Sequence, residues 1–207
     1  MILGITGGSG CGTTTVGHLL EQYGFYFVDA DSVYHELLTG DSALKERLVF
    51  RFGSDIVRNG EIDRRALAAI VFSDPQALKD LNELTHAVII QAVSDRVHAS
   101  GKPNAAIEAI ALIESGMAQL CDAVVGVLCG REERLHRIMQ RDGRTEAEAA
   151  ARIDAQQDDA FFIDHCDYIL LNDRTLEELR EAVHALVQAI GCEPASNPQT
   201  ENKHTEQ

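Results

Sequence analysis

The sequence predicts an α/β fold, a parallel five-stranded sheet covered by helices on both faces. Three observations carry that expectation. Five short apolar runs, each able to form a buried strand, alternate with segments of helical periodicity. A glycine-rich stretch at residues 4 to 15 follows the first run and leads into a helix. A long, almost wholly helical stretch, residues 32 to 103, is inserted between the second and third runs.

With 207 residues and 45% apolar side chains, the chain is long enough for one domain with a sizeable core. We assign that domain to residues 1–191 and read residues 192–207, polar and without periodicity, as a disordered tail. A formal charge of −15 argues against a general nucleic-acid binder, which needs a basic face. No apolar run approaches the ~20 residues that span a bilayer, and the start lacks the basic residues of a signal peptide. Five cysteines, odd in number and without C-x-x-C spacing, argue against a disulfide framework and fit a cytoplasmic protein. Oligomeric state is left open.

The first strand runs from Met1 to Ile5, and Val16, Leu19, Leu20 and Tyr23 mark the helix after the glycines, stopped at Gly24. Phe25 to Val28 reads as a second strand ending in Asp29-Ala-Asp31, where carboxylates at a strand's C-terminal end meet ligands in open α/β sheets. Helices follow through Val33, Leu37 and Leu38, then Leu44, Leu48 and Phe52. Asn59-Gly60 is a turn, and a helix passes through Leu67, Ile70 and Val71. Asp74-Pro75 opens a long helix that stops near Ser100-Gly101. An insertion of this size beside a phosphate loop is a natural substrate lobe.

Ala105 to Ile110 is the third strand and carries Glu108; Ala123 to Cys129 and Tyr168 to Leu171 are the fourth and fifth. Thr175 with Glu178 forms a capping box for the last helix, which ends at Gly191. Between the last two strands lie two helices. The first places Arg134, Arg137 and Arg141 on one side; the second, capped by Thr145 and Glu148, carries Arg152. This hairpin, residues 131–156, reads either as a solvated basic face or, beside a phosphate loop, as a lid of arginines that grip phosphate.

The glycine stretch, Gly-Ile-Thr-Gly-Gly-Ser-Gly-Cys-Gly-Thr-Thr-Thr, has the strand–turn–helix context in which backbone N–H groups cradle phosphate. The pattern G-x-x-x-x-G-K-[ST] fits Gly7 to Thr14 with one failure: the lysine position is Thr13. Cys11 within the loop reads as a small residue tolerated there.

The chain from Ile2 to about Ile190 resembles the dephospho-CoA kinase family. The likeness is carried by Thr6-Gly7-Gly8, Asp29-Ala30-Asp31, Asp63-Arg64 with Leu67 and Val71-Phe72, His86, Ile110 to Glu114, Arg141-Asp142, Arg152-Ile153 with Gln156, and Asn172. It departs at Ala87, where a proline usually follows the histidine, and at Thr13.

The resemblance implies a P-loop NTPase-type fold with a helical substrate-binding insertion and a helical lid. It implies ATP-dependent phosphorylation of the ribose 3′-hydroxyl of dephospho-CoA, with ATP and Mg²⁺ as cofactors. Gly8, Ser9, Gly10, Cys11, Gly12, Thr13, Thr14 and Thr15 would hold the nucleotide phosphates, with Thr14 also on magnesium and Asn172 near adenine. Asp31 would accept the acceptor's proton, or simply cap the helix that follows; Arg137 and Arg141 would close over the transferring phosphoryl group. Asp29, Arg64, His86 and Glu114 would touch substrate, although His86 also reads as a structural histidine and Glu114 as a helix cap.

Threonine at position 13 is neutral and too short to reach where a lysine ammonium would sit. Losing one preorganised donor typically costs about 3–4 kcal/mol, roughly 10² to 10³ in rate. Three readings stay open: a dephospho-CoA kinase slowed by this loss, a non-catalytic protein that binds a nucleotide or CoA precursor, and another P-loop small-molecule kinase.

Overall fold

The computed structural model describes residues 1–192. The expected disordered tail lies, from residue 193 to 207, outside the described residues. In chain order the elements are β1 (Ile2–Gly7), α1 (Thr13–Glu21), β2 (Tyr26–Asp29), α2 (Ala30–Gly40), α3 (Ser42–Phe52), β3 (Val57–Arg58), β4 (Glu61–Ile62), α4 (Arg64–Ser73) and α5 (Pro75–Ala99). Then follow β5 (Ala105–Glu108), β6 (Ala123–Leu128), α6 (Arg131–Asp142), α7 (Glu146–Asp154), α8 (Asp159–His165), β7 (Tyr168–Leu171) and α9 (Leu176–Ala189).

Five strands form one sheet in the order β2-β5-β1-β6-β7, with every pairing parallel. Alternation along β1 divides the core. Leu3 and Ile5 face α1 and α9, packing with Val16, Leu20, Val183 and Val187. The other face holds Val33 of α2, Val93 of α5 and Ile107. Helix α1 lies so close to the sheet that a Cβ on Gly17 would sit 2.2 Å from the Phe27 ring. Register then places the chemistry: Asp29 pairs with Glu108 across β2 and β5, and Ile5 pairs with Glu108 across β1 and β5. Two carboxylates therefore meet at the carboxyl edge of the sheet, beside the loop that leaves β1.

The insertion is helical apart from the small β3–β4 hairpin, turned at Asn59, which adopts φ 52°, and Gly60. It has its own core of Leu44, Leu48, Ile56, Leu67 and Val71. Each helix start is anchored as its sequence directs: Asp63 accepts from Arg65 N and Ala66 N, and Asp74 from Gln76 N. The lid hairpin closes on Ile138, Ala149 and Ile153. One element was not expected. Between β6 and β7 there are three helices, because Asp158 caps a seven-residue α8 that buries only Phe162, too short to show periodicity in the sequence.

Candidate active site

The loop between β1 and α1 is held in shape from behind. Gly10 and Gly12 adopt φ 85° and 91°, the left-handed region that favours glycine. Gly12 precedes α1 with no side chain capping the helix, so the N–H groups of its first turn are left for a ligand. Beneath the loop, Arg134 is buried and donates from Nε to Ser9 O at 3.1 Å and from Nη2 to Gln156 Oε1 at 3.0 Å. Arg137 donates to Gly10 O at 3.2 Å and Asn172 O at 3.0 Å, and pairs with Glu133 at 2.8 Å. Asn172, also buried, donates to Cys11 O at 2.8 Å. Burial raises the Cys11 thiol pKa, the direction of an inert packing residue.

In front of the loop lies a cleft of about 140 Å³. Loop residues Gly8, Ser9, Gly10 and Gly12 line it together with Thr13 and Thr14. Facing them are Asp29, Asp31, Glu108, Arg141 and Arg152. Asp29 caps α2, accepting from Asp31 N at 2.9 Å, Ser32 N at 3.1 Å and Ser32 Oγ at 2.5 Å. That leaves Asp31, the second residue of α2, free of the capping role. Burial, then the neighbouring Asp29 charge, raise the Asp31 pKa, against the pull of His35 and Arg152.

Glu108 is the residue on which the loop's side chains converge. Its Oε1 accepts from both Thr13 Oγ1 and Thr14 Oγ1, the latter at 2.9 Å, while Oε2 is buried without a partner. Burial raises its pKa; the two threonine bonds oppose that, and Asp29 and Asp31 add to it.

The lid supplies the cations. Arg141 grips Asp142 in a fork, 2.7 Å from Nε and 3.0 Å from Nη2. Arg152 donates from Nη1 to the same carboxylate at 2.9 Å and from Nε to Ser9 Oγ at 3.0 Å. Arg141 first, then Arg152 and Arg144, lower the Asp142 pKa. Gln156 also binds Ser9, accepting from its N–H at 2.9 Å and donating to its hydroxyl at 3.0 Å.

Several expected site residues thus meet in one cleft, and several do not. Arg137, expected over the transferring phosphoryl group, is spent on the back of the loop because its guanidinium is bound to main-chain carbonyls. Asn172 likewise braces the loop through Cys11 O. Thr15 and Cys11 do not line the cleft. His86 lines a second pocket of about 160 Å³ under α5, shared with Tyr34, Leu81 and Ile89 and reaching Asp31. Burial lowers the His86 pKa, favouring the neutral ring. Burial raises the Tyr34 phenol pKa, and Arg64, which is exposed, lies near enough to oppose that rise. Glu114 sits in a third cleft with Gly7, Gly8 and Gln156. Glu108 and Arg134 stand out only in three dimensions, although a single charge in an apolar strand was a signal for Glu108.

A family model described as dephospho-CoA kinase (CoaE) matches residues 1–178. This chain belongs to the dephospho-CoA kinase family. Among curated relatives, the dephospho-CoA kinase of Syntrophotalea carbinolica is 34% identical over 194 residues, covering 92% of each chain. Among solved structures, TT1252 from Thermus thermophilus is similar at TM-score 0.80 and 31% identity, covering 92% of this chain and 97% of its own. The Campylobacter jejuni dephospho-CoA kinase is similar at TM-score 0.66 and 26% identity, covering 91% and 96%. The fold is that of a P-loop kinase, and the family is one of kinase enzymes. No helix among the described residues is long and apolar enough to cross a membrane.

Proposed function

We propose that this chain transfers the γ-phosphoryl group of ATP to the ribose 3′-hydroxyl of dephospho-CoA, giving coenzyme A, at a rate reduced by the absence of a loop lysine. The observation that carries this reading is the position of Asp31. It lines both the phosphate cleft and the pocket under α5, so an acceptor held against the insertion meets the phosphates at this carboxylate.

Asp31 accepts the proton of the attacking hydroxyl as the new O–P bond forms. Its raised pKa makes it a better base than an ordinary aspartate and brings it nearer the neutral range. The bond from phosphorus to the β–γ bridging oxygen breaks, and negative charge passes to ADP. The loop N–H groups hold the phosphates in place, while Arg141 and Arg152 face the charge that spreads over the transferred group. Asp29 fixes the start of α2, and hence Asp31. His86, with Arg64 beside Tyr34, contacts the acceptor, and Glu114 flanks it across Gly7 and Gly8.

The residues present fit magnesium. The partnerless, buried Glu108 Oε2 and the adjacent Thr14 hydroxyl are hard oxygen donors of the kind that ion takes. Magnesium characteristically uses one or two protein oxygens with phosphates and water, so the lack of a cluster of three ligating side chains among the described residues is compatible with it. When bound it would neutralise charge between the β- and γ-phosphates.

An acceptor comparison tests the reading. With ATP as donor, dephospho-CoA should be turned over and its 3′-deoxy analogue should not. Faster turnover of a nucleoside or nucleotide acceptor would favour another small-molecule kinase. Binding of ATP with no turnover of any acceptor would make the chain a nucleotide-binding protein.

A further inference from the structure

We propose that Arg152 supplies the charge that a lysine at position 13 would bring to the phosphates, so the cation enters from the lid and not from the loop. The proposal deepens the phosphoryl-transfer reading and rests on it. Thr13 cannot contribute: its hydroxyl is committed to Glu108, and its methyl packs against Gly7. Three carboxylates, Asp29, Asp31 and Glu108, line the cleft against two cations, Arg141 and Arg152. Arg134 and Arg137 are excluded because they donate to the carbonyls of Ser9 and Gly10, on the underside of the loop.

Arg141 and Arg152 each keep one terminal nitrogen without a partner among the described residues, Nη1 and Nη2 respectively, and differ in what the rest of the guanidinium holds. Arg141 commits its fork to Asp142 and its side chain is 59% exposed. Arg152 is 39% exposed, commits Nη1 to Asp142 and Nε to Ser9 Oγ, and its Nη2 has no partner among the described residues. It is therefore tied directly to the phosphate loop with donors in reserve, and guanidinium remains charged at every working pH.

Asp142 is the positioning residue. It is the last residue of α6, where the helix dipole disfavours a carboxylate, and it is neutralised there by the two arginines it aligns.

Two cations that do the same work should not gain independently, so a double-mutant cycle of Thr13→Lys with Arg152→Met decides the matter. Turnover of ATP with dephospho-CoA and equilibrium binding of Mg·ATP are measured on all four proteins, with melting checked on each. Arg152→Met should lower kcat about 10²-fold. Thr13→Lys should raise kcat about tenfold in the wild-type background and about 10²-fold in the Arg152→Met background. Arg152→Lys should retain turnover within about tenfold of wild type, which a purely structural arginine bridge would not. If Arg152→Met fails to fold, Arg152→Gln, which keeps a donor for Ser9 Oγ, takes its place in the cycle.

Equal gains from Thr13→Lys in both backgrounds would overturn the proposal. If none of the four proteins turns over, the kinase reading falls by itself. The Mg·ATP affinities then decide the Arg152 proposal: a larger gain from Thr13→Lys in the Arg152→Met background supports it, and equal gains refute it.

Discussion

Thr13 donates its hydroxyl to Glu108, so the loop position that carries a cation in the general P-loop pattern is here bound to an acid. The same carboxylate oxygen takes Thr14, while the other is left buried and unpaired. The loop keeps its backbone cradle and loses its charge. What remains positive around the cleft comes from the lid, through Arg141 and Arg152 on their shared Asp142.

Glu108→Gln should raise the magnesium concentration needed for half-maximal turnover by at least about tenfold, because the neutral amide is a far poorer ligand for a hard cation. A magnesium titration of initial rate reads this. An unchanged midpoint would remove Glu108 from the ion's surroundings.

Asp31→Asn should lower kcat by about 10² to 10⁴, the usual worth of a general base. It should also stabilise the protein at pH 7. A carboxyl whose pKa is raised on folding contributes stability below its unfolded value of 3.8, and that contribution is lost as pH rises through the folded value. The charged form present at pH 7 is thus a burden that asparagine lacks. Melting curves at pH 7 check the gain, and the acidic limb of the wild-type kcat/KM profile should lie above the ordinary aspartate range.

Arg134→Met should cost about 1–3 kcal/mol of stability, because Ser9 O loses its buried donor. Urea unfolding measures it. Nucleotide affinity should fall as well, since the same arginine sets the loop's shape.

Leu48→Ala empties part of the insertion's separate core and should cost about 2–5 kcal/mol. Its kinetic effect should fall on KM for the acceptor more than on KM for ATP, because this core supports the lobe over the α5 pocket. Equal effects on both would tie the insertion to nucleotide binding.

The fold was legible because its signals are local. Apolar runs alternate with amphipathic stretches, and Asp74, Thr145 and Thr175 cap the helices they precede in sequence. The seven-residue α8 escaped because two turns carry no period. The loop and Asp31 were legible for the same local reason, a motif and a strand end. The division of labour among arginines was not. Arg134, Arg137 and Arg141 share a helix side by spacing, yet the first two turn to carbonyls beneath the loop and only Arg141 reaches the cleft. That outcome depends on how closely α6 passes under the glycines: a Cβ on Gly8 would lie 2.2 Å from the Arg134 guanidinium. Glu108 meets Thr13 only through the parallel register of β5 beside β1.

The most direct test of the central claim is the initial rate of coenzyme A formation from ATP and dephospho-CoA by the wild type and by Thr13→Lys. A cradle that holds the phosphates while the lid carries the charge predicts slow but measurable formation in the wild type and a rise of about tenfold in the variant. A wild type already fast and unchanged by the lysine would contradict the role given to position 13. No turnover by either protein, with both still binding ATP, would contradict the kinase itself.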